Sequence, residues 1–156
     1  MDILEESVRL AEFSLAVRES TIMRLSLVPM GFENWRINSE AMSISDIAQH
    51  LMDADNWLFK KLETKTLEPM VGRAGLVHVT CRNQYQALLN ELEQTGEQRA
   101  MMIRRLTQNQ LGELIPDQRF RKEVTAWWII VRGNLDHETH HRGQIVAYLK
   151  VLSSRE

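Results

Sequence analysis

The chain has only one cysteine, Cys81, so no disulfide can form within it, which fits a reducing compartment. Proline and glycine are scarce, with three and seven residues, so helix-breaking positions are few. The longest apolar run, residues 126–131, is far shorter than the roughly 20 residues that span a bilayer. The acidic start, MDILEESVRL, lacks the apolar stretch of a secretory signal. We therefore expect a cytoplasmic protein, and we expect Cys81 to be a small buried residue.

An excess of charge of one sign is also absent. The 156 residues include 19 Lys and Arg against 21 Asp and Glu, and both signs are interleaved along the chain. This balance lacks the basic surface of nucleic-acid-binding domains and the basic clusters that bind membranes. We therefore expect no nucleic-acid or membrane partner. The length and the 44% of hydrophobic residues are typical of one globular domain, which we place at 1–156.

Apolar residues recur at intervals of three and four along four segments, as on the buried face of an amphipathic helix. Pro29 ends the first segment, and Ser43 is placed to cap the second. The third segment spans residues 81–108, and the fourth begins near Thr125. The first stripe, which Arg18 interrupts, consists of Leu4, Val8, Ala11, Leu15, Ile22 and Leu25. The fourth consists of Trp127, Ile130, Gln144, Ile145, Leu149 and Leu152.

Four helices with one apolar stripe each must cover these stripes against one another. The pattern therefore predicts an all-α four-helix bundle. The connections between the helices are longer than simple hairpins need. We expect crossover-type connections, or short extended pieces within them.

Near the C-terminus, the sequence HETHH at 137–141 matches the H-E-x-x-H pattern of zinc proteases. At about 100° per residue, His137 and His141 lie about 40° apart on the apolar face of the last predicted helix. Two imidazoles that share a metal need this placement, one turn apart on one face. His140 lies about 120° from the centre of the same face. The spacing therefore selects His137 and His141.

A third histidine, His50, lies on the apolar face of the second predicted helix, one turn from Ile47 and from Ala54. Three neutral imidazoles from two helices can bind zinc, nickel or iron and leave a position for water or substrate. The alternative for each histidine is a hydrogen-bonded place in the core or on its flank. Because burial of three imidazoles without partners is costly, convergence of the three favours a shared divalent metal.

Two known uses of these patterns fit poorly. A protease needs a further ligand, but no His follows His141, and Gln144 stands where the extended protease motif has Gly. Di-iron bundles use Glu-x-x-His twice. Glu138 and His141 supply that motif once, whereas Asp46 and His50 have the wrong spacing. We therefore disfavour both functions.

The stretches SISDIAQHLMDADNWLFKKL and HETHHRGQIVAYLK, in this order and at this separation, resemble the DinB-like (YfiT-like) superfamily of small metal-binding bundles. The H-x-x-x-H-R-G-Q motif is fairly specific, and the likeness covers essentially the whole chain as architecture. The resemblance implies one divalent metal per chain, with His50, His137 and His141 as its ligands. These are the residues that helical geometry selects.

The resemblance also implies a reaction class. Relatives include enzymes that use low-molecular-weight thiols, such as bacillithiol S-transferases and mycothiol-dependent isomerases. A metal can lower the pKa of a thiol or of water. We therefore expect a metal-dependent thiol S-transferase or hydrolase that acts on a small molecule. The alternative is a non-catalytic, stress-associated bundle protein that binds a metal or a ligand.

Several polar and small residues near the histidines have expected roles. Glu138 is a candidate general base or a hydrogen-bond acceptor for a ligand histidine. Asp53 and Asp55 are expected at the surface, with Asp53 the better placed to support the histidine of its helix. Gly143 is expected to permit close helix packing. Trp128 lies about 120° from the core face, which together with the dimeric precedent of the family predicts a homodimer.

Overall fold

The computed structural model describes residues 3–120 and 122–154, without the side chains of residues 3–5, so the predicted core position of Leu4 lies outside the description. The described part is mostly helical, and none of its helices is long and apolar enough to cross a membrane. In chain order the elements are α1 (Ile3–Ser26), α2 (Ile44–Thr64), α3 (Arg82–Arg104), α4 (Gln108–Leu111), β1 (Leu114–Asp117), a 3₁₀ turn (Gln118–Phe120), β2 (Lys122–Thr125), α5 (Ala126–Trp128), a π segment (Ile129–Leu135) and α6 (Asp136–Ser153).

Two predicted helix starts are confirmed by capping contacts. The Ser43 hydroxyl accepts from the Asp46 N–H at 3.0 Å, and the Asp46 carboxylate accepts from the Ser43 N–H at 2.9 Å. At the start of α5, the Thr125 hydroxyl accepts from the Trp128 N–H at 3.1 Å. Such contacts satisfy N–H groups that have no partner within the helix, and therefore these helices begin where the sequence indicates.

The third helix is shorter than predicted. It ends at Arg104 rather than near Gln108, because the Thr107 hydroxyl accepts from the Gln110 N–H at 3.2 Å and thereby caps a separate helix, α4. Cys81 is the N-cap residue of α3, in an extended conformation, and it is exposed. The expectation that Cys81 is buried is therefore wrong.

The long helices pack against one another around two clusters of buried residues. α1 contacts α3 and α6, while α2 contacts α3, α6 and the π segment. Burial of each large aliphatic side chain stabilises the fold by about 1.5–3 kcal/mol. One core cluster includes Leu25, Ile47, Leu51, Tyr85, Leu92 and Ile145. The other includes Ala11, Leu58, Ile103, Ile115, Val124 and Ile130.

The sequence pattern suggested that Arg18 interrupts the buried face of α1, but in the structure it does not. Its side chain is 3% exposed and lies inside the helical core. Gly96 on α3 makes room for it, because a Cβ at that position would lie 2.6 Å from Arg18 Cγ. An arginine can occupy such a place only where carboxylates balance its charge, and these come from two other helices.

A hairpin replaces part of the last predicted connection. β1 and β2 pair antiparallel, with buried Ile115 opposite buried Val124. The ammonium group of Lys61 on α2 donates to the Pro116 carbonyl at 2.7 Å and lies 3.5 Å from the Asp117 carboxylate. These contacts hold the hairpin against α2. Short extended pieces were one of the two expected forms for the long connections, and this connection contains them.

The last helical stretch, residues 126–153, is not a regular α-helix. Within the π segment the hydrogen bonds reach one residue further, as from the Asp136 N–H to the Val131 carbonyl. This wider turn rotates the residues before it relative to those after it. Trp127, predicted on the core face, is therefore 37% exposed, whereas Ile130 is fully buried.

Candidate metal centre

Three histidine side chains from two helices converge at one point. α2 carries His50, and α6 carries His137 and His141 one turn apart. The Nε2 atom of His137 lies 2.9 Å from His50 Nε2 and 3.0 Å from His141 Nε2. One ring nitrogen from each of the three lies within 4.8 Å of the others. This arrangement has the donor type, number and proximity of a divalent metal site.

The three imidazoles are neutral at physiological pH. His50 and His141 are buried, and His137 is half-buried. Burial lowers the pKa of His137 to about 3, helped by the neighbouring histidines, and lowers the pKa of His141 to about 4. Burial lowers the pKa of His50 as well. Neutral imidazole is the form that binds metals, so no proton has to leave before binding.

The hydrogen-bond partner of the second ring nitrogen, Nδ1, shows whether each imidazole is oriented as a metal ligand. His141 Nδ1 lies 2.7 Å from Gln144 Oε1. When Nδ1 donates to this oxygen, the Nε2 lone pair faces the other histidines, which is the usual orientation of a metal ligand. Within the described residues, the buried Nδ1 atoms of His50 and His137 have no hydrogen-bond partner. A cation bound to Nε2 would not give these two Nδ1 atoms a partner, so the fit to a shared divalent cation rests on the three converging Nε2 atoms and on the Gln144 contact.

The connection between α2 and α3 covers one side of His50. A Cβ at Gly72 would lie 3.1 Å from His50 Cε1 and 3.2 Å from its Nδ1. The Asp46 carboxylate holds this connection in place by accepting from the N–H groups of Gly75 and Val77, both at 2.8 Å. A side chain at Gly72 would therefore require its neighbours, among them the His50 ring, to shift by a few tenths of an ångström.

Glu138 lies beside the histidines in the sequence but faces a buried ion network. Its carboxylate accepts from Arg18 Nε at 2.8 Å and from Arg99 Nη1 at 2.6 Å. The Asp55 carboxylate contacts the same two arginines at 2.8 and 3.0 Å. Burial opposes the charge of Glu138, but Arg99 and Arg18 outweigh it and lower its pKa to about 2. α1, α2, α3 and α6 each contribute one charge to this network.

The ion network shows that the expected surface position of Asp55 is wrong, and it limits the expected role of Glu138. Asp55 is fully buried rather than at the surface, because Arg18 and Arg99 balance its charge. The carboxylate of Glu138 is engaged by the same arginines, and no hydrogen bond joins it to the three histidines among the described residues. A carboxylate with such a low pKa is a weak base. No pattern in the sequence identified Arg18 and Arg99 as its partners.

Other residues singled out from the sequence are not among the three converging histidines, although the ring of His140 lies against that of His141 at a centroid distance of 5.1 Å. Asp53 is exposed and accepts from Gln49 at 3.1 Å. His140 is exposed, on the flank of α6, as the helical phase predicted. Gly143 is also exposed, and a Cβ there would meet no described atom within 4 Å, so the expected close packing is wrong. Trp128 is 38% exposed, with Phe120 against its ring at a centroid distance of 5.9 Å.

The fold and the site define a mostly helical protein with a three-histidine candidate metal centre. A family model, that of the DinB family, matches residues 14–152. The chain therefore belongs to the DinB family. No curated protein and no solved structure was found to match it.

Proposed function

We propose that the protein binds one divalent metal, either zinc, nickel or iron, through the Nε2 atoms of His50, His137 and His141. The observation that carries this proposal is the convergence of these three atoms. The Nε2 atom of His137 lies 2.9 Å from that of His50 and 3.0 Å from that of His141. Membership of the DinB family, and the contact of His141 Nδ1 with Gln144, support it.

The reaction that we propose is the transfer of a low-molecular-weight thiol to a small molecule, or hydrolysis of a small molecule at the same site. A divalent metal supplies Lewis acidity, which lowers the pKa of a thiol or of water. Gln144 fixes the orientation of the His141 ring. The half-buried side of His137 is where a small molecule would approach.

A non-catalytic function is the second candidate. One observation favours it: in the described part of the chain, no carboxylate is hydrogen-bonded to any of the three histidines. General acid–base chemistry usually requires a positioned group of this kind. In this case the protein would bind a metal or a ligand, as a stress-associated protein, without turnover.

Metal analysis of the purified protein, followed by an activity screen, tests the proposal. We expect close to one equivalent of divalent metal per chain, and turnover when the metal-loaded protein is given a low-molecular-weight thiol with an electrophile. Stoichiometric metal without turnover against thiol and electrophile pairs or hydrolysable esters would support the second candidate. Absence of metal binding after reconstitution with zinc, nickel and iron(II) would refute both metal functions.

We further propose that the four long helices form a DinB-type four-helix bundle, with long connections, as a single domain over 1–156. We also propose that the protein is cytoplasmic, that it forms a homodimer and that it has no nucleic-acid partner. The balanced charge of the chain and the exposure of Trp128 support these proposals.

A further inference from the structure

Arg119, in the 3₁₀ turn of the hairpin, is held rigidly. Its guanidinium lies 4.4 Å from the ring centroid of Trp57 and 5.3 Å from that of Phe120. The Asp117 carboxylate accepts from its Nε at 3.1 Å and from its Nη2 at 3.0 Å. A planar guanidinium that is stacked and bound at one edge keeps a single orientation.

The same guanidinium lies between Trp57 on α2 and Gly133 in the π segment that precedes α6. A Cβ at Gly133 would lie 2.7 Å from Arg119 Nη2, so the glycine in the π segment makes room for it. Gly133 precedes His137 by about one turn, and Trp57 follows His50 by about two turns of α2.

This region retains positive charge and a donor. Lys61 and Arg119 share the single carboxylate of Asp117, so two cations face one anion. Within the described residues, Arg119 Nη1 has only a 3.5 Å contact with the Gly133 carbonyl, which is long for a hydrogen bond. The Arg119 side chain is 39% exposed. A guanidinium with an available donor and excess charge recognises carboxylates.

We propose that Arg119 binds a carboxylate of the small molecule that acts at the histidine centre. This inference rests on the proposed function, and it adds the substrate class: a small carboxylic acid, or a thiol that carries a carboxylate. Gly133, against which the guanidinium lies, precedes His137 by four residues, so Arg119 contacts the segment that leads into the histidines of α6. A short thiol with a carboxylate two carbons away therefore serves as the probe.

The test compares two thiols that differ only at the far end, 3-mercaptopropionate and 3-mercapto-1-propanol. Isothermal titration of the zinc-loaded protein measures their dissociation constants. We expect the wild type to bind the carboxylate about tenfold more tightly, which is about 1.4 kcal/mol. Arg119→Gln should bring the ratio near one without weakening zinc binding, whereas Arg119→Lys should retain part of the preference.

Arg132→Gln is the matched control, because Arg132 also lies over a tryptophan, Trp128, but forms a solvent-exposed ion pair with Asp136. This variant should keep the wild-type ratio. Thermal unfolding checks that Arg119→Gln is folded; if it is not, Arg119→Lys decides. The inference is refuted if the wild type shows no preference, if folded Arg119→Gln keeps the wild-type ratio, or, where Arg119→Gln does not fold, if Arg119→Lys keeps that ratio undiminished.

A metal-free measurement separates this inference from the proposed function. Sodium acetate is titrated into the metal-free protein while the indole N–H signal of Trp57 is followed by NMR, with Trp57→Phe to assign it. A saturable shift that Arg119→Gln abolishes supports the carboxylate site even if no metal binds. A shift that survives in Arg119→Gln, or no saturable shift in the wild type, contradicts the site whether or not zinc binds.

Discussion

Adjacent histidines on α6 have different environments, and single substitutions distinguish them. His141 is buried with its Nε2 3.0 Å from that of His137, whereas His140 is exposed on the helix flank. His141→Ala, His137→Ala and His50→Ala should each weaken metal binding by more than about 100-fold, because each removes one of three ligands. His140→Ala should bind with wild-type stoichiometry.

Zinc and nickel titrations of these four variants measure the difference, and circular dichroism checks that each variant keeps its helical content. Loss of binding in His140→Ala together with retention in His141→Ala would contradict the site. In that case both the helical phase and the assignment of ligands to family positions would be incorrect.

Gln144 orients the ring of His141, and its removal should affect the metal without affecting the fold. Its Oε1 lies 2.7 Å from His141 Nδ1. Gln144→Ala is expected to weaken zinc binding by about 10- to 100-fold, the usual effect of removing the hydrogen-bond partner of a metal ligand. Gln144→Glu should restore or strengthen binding, because a carboxylate is a stronger acceptor. Equal zinc affinity in the wild type and in Gln144→Ala would show that the contact has no such role.

At the scale of elements, Asp46 joins the start of α2 to the connection that covers His50. Its carboxylate accepts from the N–H groups of Ser43, Gly75 and Val77. Burial opposes its charge, but these hydrogen bonds outweigh burial and lower its pKa below the usual value. The stabilisation is therefore present above the unfolded pKa of about 4, and it is lost as the pH falls through the lower folded pKa.

Asp46→Asn should consequently lower the melting temperature at pH 7 by several degrees, the effect of losing about 1 kcal/mol or more from a capping carboxylate. The difference from wild type should shrink in acid, as the pH approaches the folded pKa. Asp53→Asn, at an exposed position on the same helix, is the control and should show little difference at either pH. A loss for Asp46→Asn that is the same at pH 7 and in acid would be inconsistent with this origin.

The buried ion network connects four helices, so its disruption should be costly. Arg99 is fully buried and contacts Asp55, Glu138 and Ser14 from three different helices. Arg99→Met leaves Arg18 as the one cation beside the two carboxylates among the described residues, and breaking a buried pair of this kind typically costs about 3–5 kcal/mol.

Urea denaturation measures this loss as a change in the free energy of unfolding. The control is Lys60→Met, which removes a solvent-exposed ion pair with Glu68 and should cost less than about 1 kcal/mol. Similar losses for the two variants would mean that the network contributes no more than a surface pair.

At the scale of the whole molecule, the proposed homodimer gives a direct prediction. Light scattering at micromolar concentration should give a mass near twice the 18.2 kDa of the chain. Trp128 is partly exposed despite the contact with Phe120, and such aromatic side chains are enriched at interfaces. Trp128→Lys should therefore shift the mass toward that of one chain while circular dichroism stays unchanged. A monomeric wild type would exclude the dimer, and a dimeric Trp128→Lys would place the interface elsewhere.

The sequence by itself determined the long helical segments, the Ser43 cap and which three histidines converge. These features depend on residues that are close along the chain: an apolar repeat of three and four, a Ser43–Asp46 capping pair, and a turn between His137 and His141. His50 could be added because its position on an apolar face of another helix directs it toward the same interior. Gln144, at the i+3 position from His141, was also within reach of local reasoning as a hydrogen-bond partner.

Only the tertiary structure decided which charged residues are buried and how the last helix turns. Arg18 and Asp55 are charged residues of types that usually lie at the surface. Their burial depends on partners 37 to 120 positions away in the sequence. The prediction that Trp127 lies on the core face assumed a constant rotation per residue along the last helix, and the π segment changes that rotation. The π segment also brings Gly133 next to Arg119. Such features depend on the balance of charge and space between distant segments, and no local pattern encodes that balance.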